Sequence, residues 1–171
     1  MIERRGLIGT GLGIVVALLL STPAPALAAK GDLEYISRDD AGLAGNDDSA
    51  VPAISDDGNL VAFWSFSSNF VPGASGGQVF LRDVSTGTIF LISRASLAQG
   101  NTPANANSDE PVMTGDGRFV VYHSNATNLS PLANTSGQTR IFMRDRTTNV
   151  TSLVSIKNDG VSTAGGVDPA V

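Results

Sequence analysis

The sequence predicts an all-β chain of four-stranded antiparallel units repeated in tandem. A duplication is the first sign: residues 52–65 (PAISDDGNLVAFWS) return as residues 111–124 (PVMTGDGRFVVYHS). Pro52 falls on Pro111, Gly58 on Gly117, Val61 on Val120 and Ser65 on Ser124, each pair 59 positions apart. A second block, QVFLRD at 78–83, returns as RIFMRD at 140–145 with an offset of 62, so the later unit carries three extra residues in the loop between blocks. Period and order held over this length identify a repeat architecture. The third sign is the absence of polar–apolar alternation in residues 60–66 and 119–122. Strands with one wet face alternate, whereas continuous apolar strands are buried on both faces.

Composition agrees with frequent turns around a core. Of 171 residues, 42% are hydrophobic, 19 are glycine and 8 are proline, the balance of a turn-rich β chain. The length is that of one domain. A formal charge of −5 argues against a nucleic-acid partner, whose phosphates call for a basic surface. With no cysteine in the chain, disulfides, thiolate metal sites and lipid-bearing cysteines are excluded.

Residues 1–28 have the layout of a secretory signal. Arg4 and Arg5 precede an apolar run at 7–20, Pro23 and Pro25 break it, and Ala26-Leu27-Ala28 places small residues where a signal peptidase reads. Cleavage is expected after Ala28. The run is shorter than the roughly 20 apolar residues that span a bilayer, so no stable membrane span is expected after cleavage. Residues 29–171 remain, with a periplasmic or extracellular destination.

The elements follow in order. Residues 33–37 read as a short strand and 38–50 as a polar loop. Residues 51–55 form the first strand of the first complete unit, and Asp56-Asp57-Gly58-Asn59 a hairpin turn in which Gly58 is free to take positive φ. Residues 60–66 are the second strand, 67–77 a long loop, 78–83 the third strand, 84–87 a turn and 88–93 the fourth strand. After a linker at 94–109 the pattern repeats, with a loop at 125–137 and its fourth strand at 151–155. Gly87 aligns with Asn149, the two residue types that enter the left-handed region at least cost, so both turns keep one shape. Blade-like repeats therefore span about 50–93 and 109–155, and a third begins at 168. Antiparallel sheets covered on both faces are what blades stacked around an axis produce.

The run Pro-x-x-Ser-x-Asp-Gly before an apolar strand, then an apolar residue and Phe-x-Arg-Asp, then Thr-Gly and a short strand ending in Ser, resembles the TolB-type, WD-repeat-like β-propeller repeat. The likeness covers residues 33–171, with Thr114-Gly115 replacing the Ser and its neighbour in the second copy. It implies one four-stranded blade per repeat and a non-enzymatic scaffold that binds a protein or an envelope or extracellular ligand. The alternative it leaves open is the propeller part of a secreted, peptidase-like hydrolase whose catalytic domain lies elsewhere. A closed ring needs about 4 to 8 blades, so two complete blades predict a fragment of a longer propeller, or, less favoured, several copies assembled into one ring. An isolated chain of this kind is expected to expose apolar faces and aggregate.

Sharper local readings each meet a structural one. Gly73-Ala74-Ser75-Gly76-Gly77 matches G-x-S-x-G, but a nucleophile elbow needs a strand turning into a helix, and no helical pattern follows. His123, the one histidine, aligns with Trp64 inside a strand and has no second histidine to join it. The pairs Asp39-Asp40, Asp47-Asp48 and Asp56-Asp57 hold carboxylates of the type calcium takes, yet Asp56-Asp57 read better as hairpin-turn residues bonding their own backbone and the other two pairs as solvated carboxylates of an unpatterned loop. Arg82-Asp83 and Arg144-Asp145 recur at the end of the third strand, where hydrogen bonds fixing that end and its turn are the favoured role. Asn125, Asn128, Asn134 and Asn149 open N-x-S/T triplets, a chance outcome in a chain rich in these residues. No catalytic residue, metal or cofactor is predicted. Loops 67–77 and 125–137 are the expected contact surfaces.

Overall fold

The computed structural model describes residues 33–132 and 138–156. The expected signal segment at 1–28 and the expected third repeat at 168 lie outside the described residues. Two four-stranded sheets follow each other along the chain. The first holds β1 (Ser49–Ile54), β2 (Leu60–Ser65), β3 (Gln78–Asp83) and β4 (Thr88–Leu91). The second holds β5 (Ser108–Met113), β6 (Phe119–Ser124), β7 (Arg140–Asp145) and β8 (Val150–Leu153). Each sheet is an antiparallel meander whose spatial order is its sequence order. Their registers match: Phe63 pairs with Phe80 as Tyr122 pairs with Phe142, and both aromatic pairs have ring centroids 6.1 Å apart.

The turns obey the residue types that form them. Gly58 and Gly117 take φ of 74° and 65°, and Gly87 and Asn149 take 72° and 58°, so the expected left-handed positions hold in both units. The proline in each repeat marks a β-bulge. The β1–β2 register shifts between Ala50 and Ala53, and the β5–β6 register between Asp109 and Val112. Val51 and Glu110, each just before its proline, sit at φ 52° and 49°. Proline has no N–H to give a ladder and is accommodated at bulges.

Some expected boundaries move. Residues 33–37 form no strand: they make no ladder, and only Arg38 forms an isolated bridge, to Ala44. An apolar stretch becomes a strand only when a neighbour takes up its backbone hydrogen bonds, and Leu33 is fully exposed. β1 starts two residues earlier than expected, and the fourth strands end at Leu91 and Leu153. The first linker holds a 3₁₀ turn, Leu97–Gln99, closed by Gly100 at φ 87°.

The sheets stack with unlike faces together. One core joins Ala62, Val79, Leu81 and Ile92 of the first unit to Met113, Val120, Tyr122, Phe142 and Leu153 of the second. The other face of the first sheet carries a separate core of Phe63, Phe80, Ile89 and Leu91, closed by Phe70 and Ala74, with Ile36 packed against it. Phe63 and Tyr122 are equivalent residues, yet they lie in different cores. A self-contained two-layer sandwich would bring equivalent faces together; here the back of one sheet meets the front of the next. The described residues close no ring.

Candidate functional site

The conspicuous polar residues of the repeat are used by the fold. In the first hairpin, Ser55 Oγ donates to Asp57 Oδ1 at 2.6 Å, and Asp57 also accepts from the Asn59 backbone at 3.0 Å. In the second, Thr114 Oγ1 donates to Asp116 Oδ1 at 2.5 Å, and Asp116 accepts from the Arg118 backbone. Thr114 therefore does the work of Ser55 through the same hydroxyl. Gly115 has its own reason. The Asp56 N–H donates to the Gly115 carbonyl at 2.8 Å, and a Cβ on Gly115 would overlap the Asp56 carboxylate. The hairpins of adjacent sheets touch there, and one side must lack a side chain.

The recurrent Arg-Asp pair divides its labour. Asp83 accepts from Ser85 Oγ and the Thr86 N–H, and Asp145 from the Thr147 and Thr148 N–H groups, so the aspartates fix the turn as expected. Asp145 also holds Arg118 through both oxygens, and that bond, its largest influence, keeps its carboxyl well below the usual range. The arginines do something else. Arg82 Nη1 donates to the carbonyls of Arg38 and Asp39, and Arg144 Nη1 to the carbonyl of Ala95. Each buried guanidinium reaches out of its own sheet to the chain that leads into it. The arginine is a latch between units, and Arg144 also fixes its own turn and β8 through Asn149 Oδ1 and Thr151 Oγ1.

A second repeated device went unread in the sequence. Asn46 Nδ2 donates to Ser68 Oγ, and its Oδ1 accepts from the Ser68 N–H. Asn69 Nδ2 donates to the Ala44 carbonyl, and its Oδ1 accepts from the Asn46 N–H. At the same period, Asn105 clasps Thr127 and Asn128 clasps Pro103 and Asn105. The signal was the recurrence of Asn46 and Asn69 at Asn105 and Asn128, 59 positions on, inside loops whose general polarity hid it. The clasp ties loops 67–77 and 125–137 to the linkers before their sheets, and Phe70 and Leu129 plug each loop into a core. The outward part of the first loop is Pro72, Gly73, Ser75 and Gly76. In the second it is Pro131 and Leu132; residues 133–137, Asn134 among them, lie outside the described residues.

The remaining candidates fall into structural roles. Ser75 is exposed in a loop and its carbonyl accepts from Gln78 Nε2. His123 is buried on β6, its Nδ1 3.1 Å from Glu110 Oε2 and 3.9 Å from Asp109 Oδ1, so it pairs across the bulge and does not meet Ser75. Asp39 accepts from the Ala41 and Leu43 N–H groups, Asp40 from the Ile89 N–H and Asp47 from the Asp48 N–H. Among the described residues no three His, Asp or Glu side chains group as a metal site, and no helix is long and apolar enough to cross a membrane.

No protein-family pattern matches the chain, and no curated protein sequence does. Solved structures of TolB are distantly similar. A TolB-assigned protein of Agrobacterium tumefaciens aligns over 64% of this chain and 31% of its own, at 13% identity and a TM-score of 0.43. TolB of Acinetobacter baumannii aligns over 78% of this chain and 31% of its own, at 21% identity and a TM-score of 0.44. The chain spans about a third of the length of these structures. The fold stands on its own two sheets.

Proposed function

We propose that this chain is a module of an exported, non-enzymatic β-propeller that binds a protein or another envelope or extracellular ligand through loops at one rim, and that it is part of a longer ring. One comparison carries the reading, and the repeat supplies its own control. Ala62, Val79 and Leu81 are 0% exposed because the second sheet covers them, while their equivalents Val121, Ile141 and Met143 are half-buried. At the opposite end Met113 is 6% exposed and its equivalent Ile54 is 63%. The back-face positions are dry where a sheet follows and only half-buried where none is described, which supports a further neighbour behind the second sheet; the front face of the first sheet is already closed by Phe70, Ala74 and Ile36, with Ile54 left open at its edge. Export is supported by the pattern of residues 1–28. A scaffold role is supported by the recurrent polar residues, which serve turns, latches and clasps rather than converging on a reacting atom.

Site-directed photo-crosslinking tests the binding reading. A photoreactive residue replaces Ser75 on the clasped rim or Ser85 at the opposite end, in cells exporting the protein. A discrete crosslinked species from Ser75 and none from Ser85 is the expected result. Equal or absent crosslinking at both positions overturns rim binding, and labelling of the chain by a serine-hydrolase probe overturns the non-enzymatic assignment.

A further inference from the structure

A cleft of about 420 Å³ is lined by β4 of the first sheet, the linker after it, and the end of β7 with its following turn in the second. Arg94, Arg144 and Arg146 line it together with Val71, Phe90 and Leu97. No carboxylate is among its lining residues, in a chain whose formal charge is −5. Phe90 and Leu97 are exposed, and the Arg146 guanidinium lies 5.9 Å from the centroid of the Phe90 ring.

The equivalent junction before the first sheet shows what is unusual. There Arg38 pairs with Glu34, and Arg82 feels the charges of Glu34, Asp39 and Asp40. In the alignment that places Ile36-Ser37-Arg38 on Ile92-Ser93-Arg94, these three acids become Phe90, Ala95 and Ser96. The structural duty of the Asp40 position survives the change: Asp40 accepts from the Ile89 N–H, and Ser96 Oγ from the equivalent Thr151 N–H. Only the negative charge is gone. A further cation has been added, since Arg146 stands where the first unit has Val84. Two arginines set among three carboxylates have become three arginines in a cleft whose lining holds none, with Asp145 and Asp83 acting on Arg144 and Arg146 from outside it.

The nearest counter-charges are engaged elsewhere. Asp145 holds Arg118 and its own turn, and Asp83 caps the β3–β4 turn. Burial lowers the pKa of both Arg144 and Arg146, and Arg94 adds repulsion on Arg144. Arg144 spends Nη1 on Ala95 and Thr151 and Nη2 on Asn149, Arg94 gives Nε and Nη2 to the Asn101 carbonyl, and Arg146 gives Nη1 to the Gly117 carbonyl. These bonds hold the three planes in place without neutralising them.

We propose that this cleft binds a small organic oxyanion, a carboxylate, sulfate or phosphate group carried on a flat apolar body. The volume is that of a small-molecule site, about 300 to 1,000 Å³. Guanidinium groups suit planar or tetrahedral oxyanions through paired N–H donors. Arg94 and Arg146 take the anionic head while Arg144 contributes field from its latched position. Phe90, Val71 and Leu97 receive the apolar body, and the Phe90 ring gives the site a preference that a bare anion does not satisfy. Apart from Val71, which loop 67–77 contributes, the site lies off the rim loops and stands whether or not they bind a partner.

Calorimetric titration of the purified protein with phenyl phosphate, benzoate and inorganic phosphate tests the assignment. Saturable binding of phenyl phosphate is expected, at least about tenfold tighter than inorganic phosphate and weakening as salt rises. Arg94→Gln with Arg146→Gln is expected to weaken it about tenfold or more, and Arg38→Gln, at the junction before the first sheet and outside the cleft, to leave it unchanged. Phe90→Ala removes no charge and is expected to abolish the preference for phenyl phosphate over inorganic phosphate, which keeps the test decisive where the double variant fails to fold. No saturable binding at millimolar ligand, equal affinity for the two phosphates, or unchanged affinity in Phe90→Ala and the folded double variant overturns the proposal.

Discussion

At the residue scale, a serine or threonine two positions before an aspartate decides the shape of each first hairpin. The Ser55 hydroxyl, more than any other group, together with Asn59, lowers the Asp57 pKa from 3.8 to about 2. Asp116 is lowered in the same direction, led by Thr114. A carboxylate whose pKa is depressed on folding contributes stability that is fully present above its unfolded value and lost as pH falls through its folded one. For Asp57 that window runs from 3.8 down to about 2. Asparagine keeps the accepting oxygen but removes the charge. The melting temperature of Asp57→Asn is therefore expected to lie below that of the parent above pH 3.8 and to converge with it as pH approaches 2. Circular dichroism melts across that range check this; a difference that stays constant means the charge is not the stabilising agent. The bulge residues are a second case. Val51 is β-branched and at positive φ, a conformation such residues rarely adopt, and its return at Glu110 shows that the bulge belongs to the repeat.

At the element scale, each sheet is fastened to the chain before it by an arginine latch from the third strand and an asparagine clasp from the loop between the second and third. Asn105→Ala removes the bonds to Thr127 at 2.8 and 2.9 Å and leaves the backbone bond to Asn128 in place. A loss of about 1 kcal/mol is expected, since the site is exposed and water replaces part of what is removed. Asn46→Ala is expected to cost a similar amount because its bonds repeat in kind. Urea unfolding of both variants measures it, and a loss in one unit without the other would show that the clasps are not equivalent. These elements also show how far the sequence could be read. The strand blocks were legible because burial on both faces forces runs such as LVAFWS and QVFLRD, and Gly87 over Asn149 was legible because few residues tolerate that φ. The clasp was not, since its asparagines lie among other polar loop residues and their partners are about 22 positions away. The latch was half legible: the Arg-Asp repeat does fix its turns, but the bond from Arg82 to a carbonyl 44 residues back has no local sign. Gly115 departs visibly from the first copy of the repeat, but its reason is the Asp56 side chain in the hairpin of the other sheet.

At the scale of the whole molecule, the arrangement is directional. Because unlike faces meet, stacking two sheets leaves the back of the second to a further neighbour, as in an open array, while the front of the first is closed mostly by Phe70, Ala74 and Ile36. The repeat makes this measurable, since the same chemical change can be placed on a covered and an uncovered copy of one position. Leu81 is fully buried between the sheets, whereas Met143, its equivalent on β7, faces outward and is half-buried. Leu81→Lys places an unpaired ammonium in a packed core, and loss of cooperative folding is expected. Met143→Lys, alone or with Val121→Lys, puts the charge where water already reaches. Melting is then expected to be nearly unchanged, while the purified chain elutes as monomer at concentrations where the parent self-associates through an exposed apolar face. Size-exclusion chromatography paired with thermal melts gives both readings on the same samples. If Met143→Lys unfolds the chain as Leu81→Lys does, the outer face of the second sheet is already covered by this chain's own residues, and the need for a neighbouring sheet disappears.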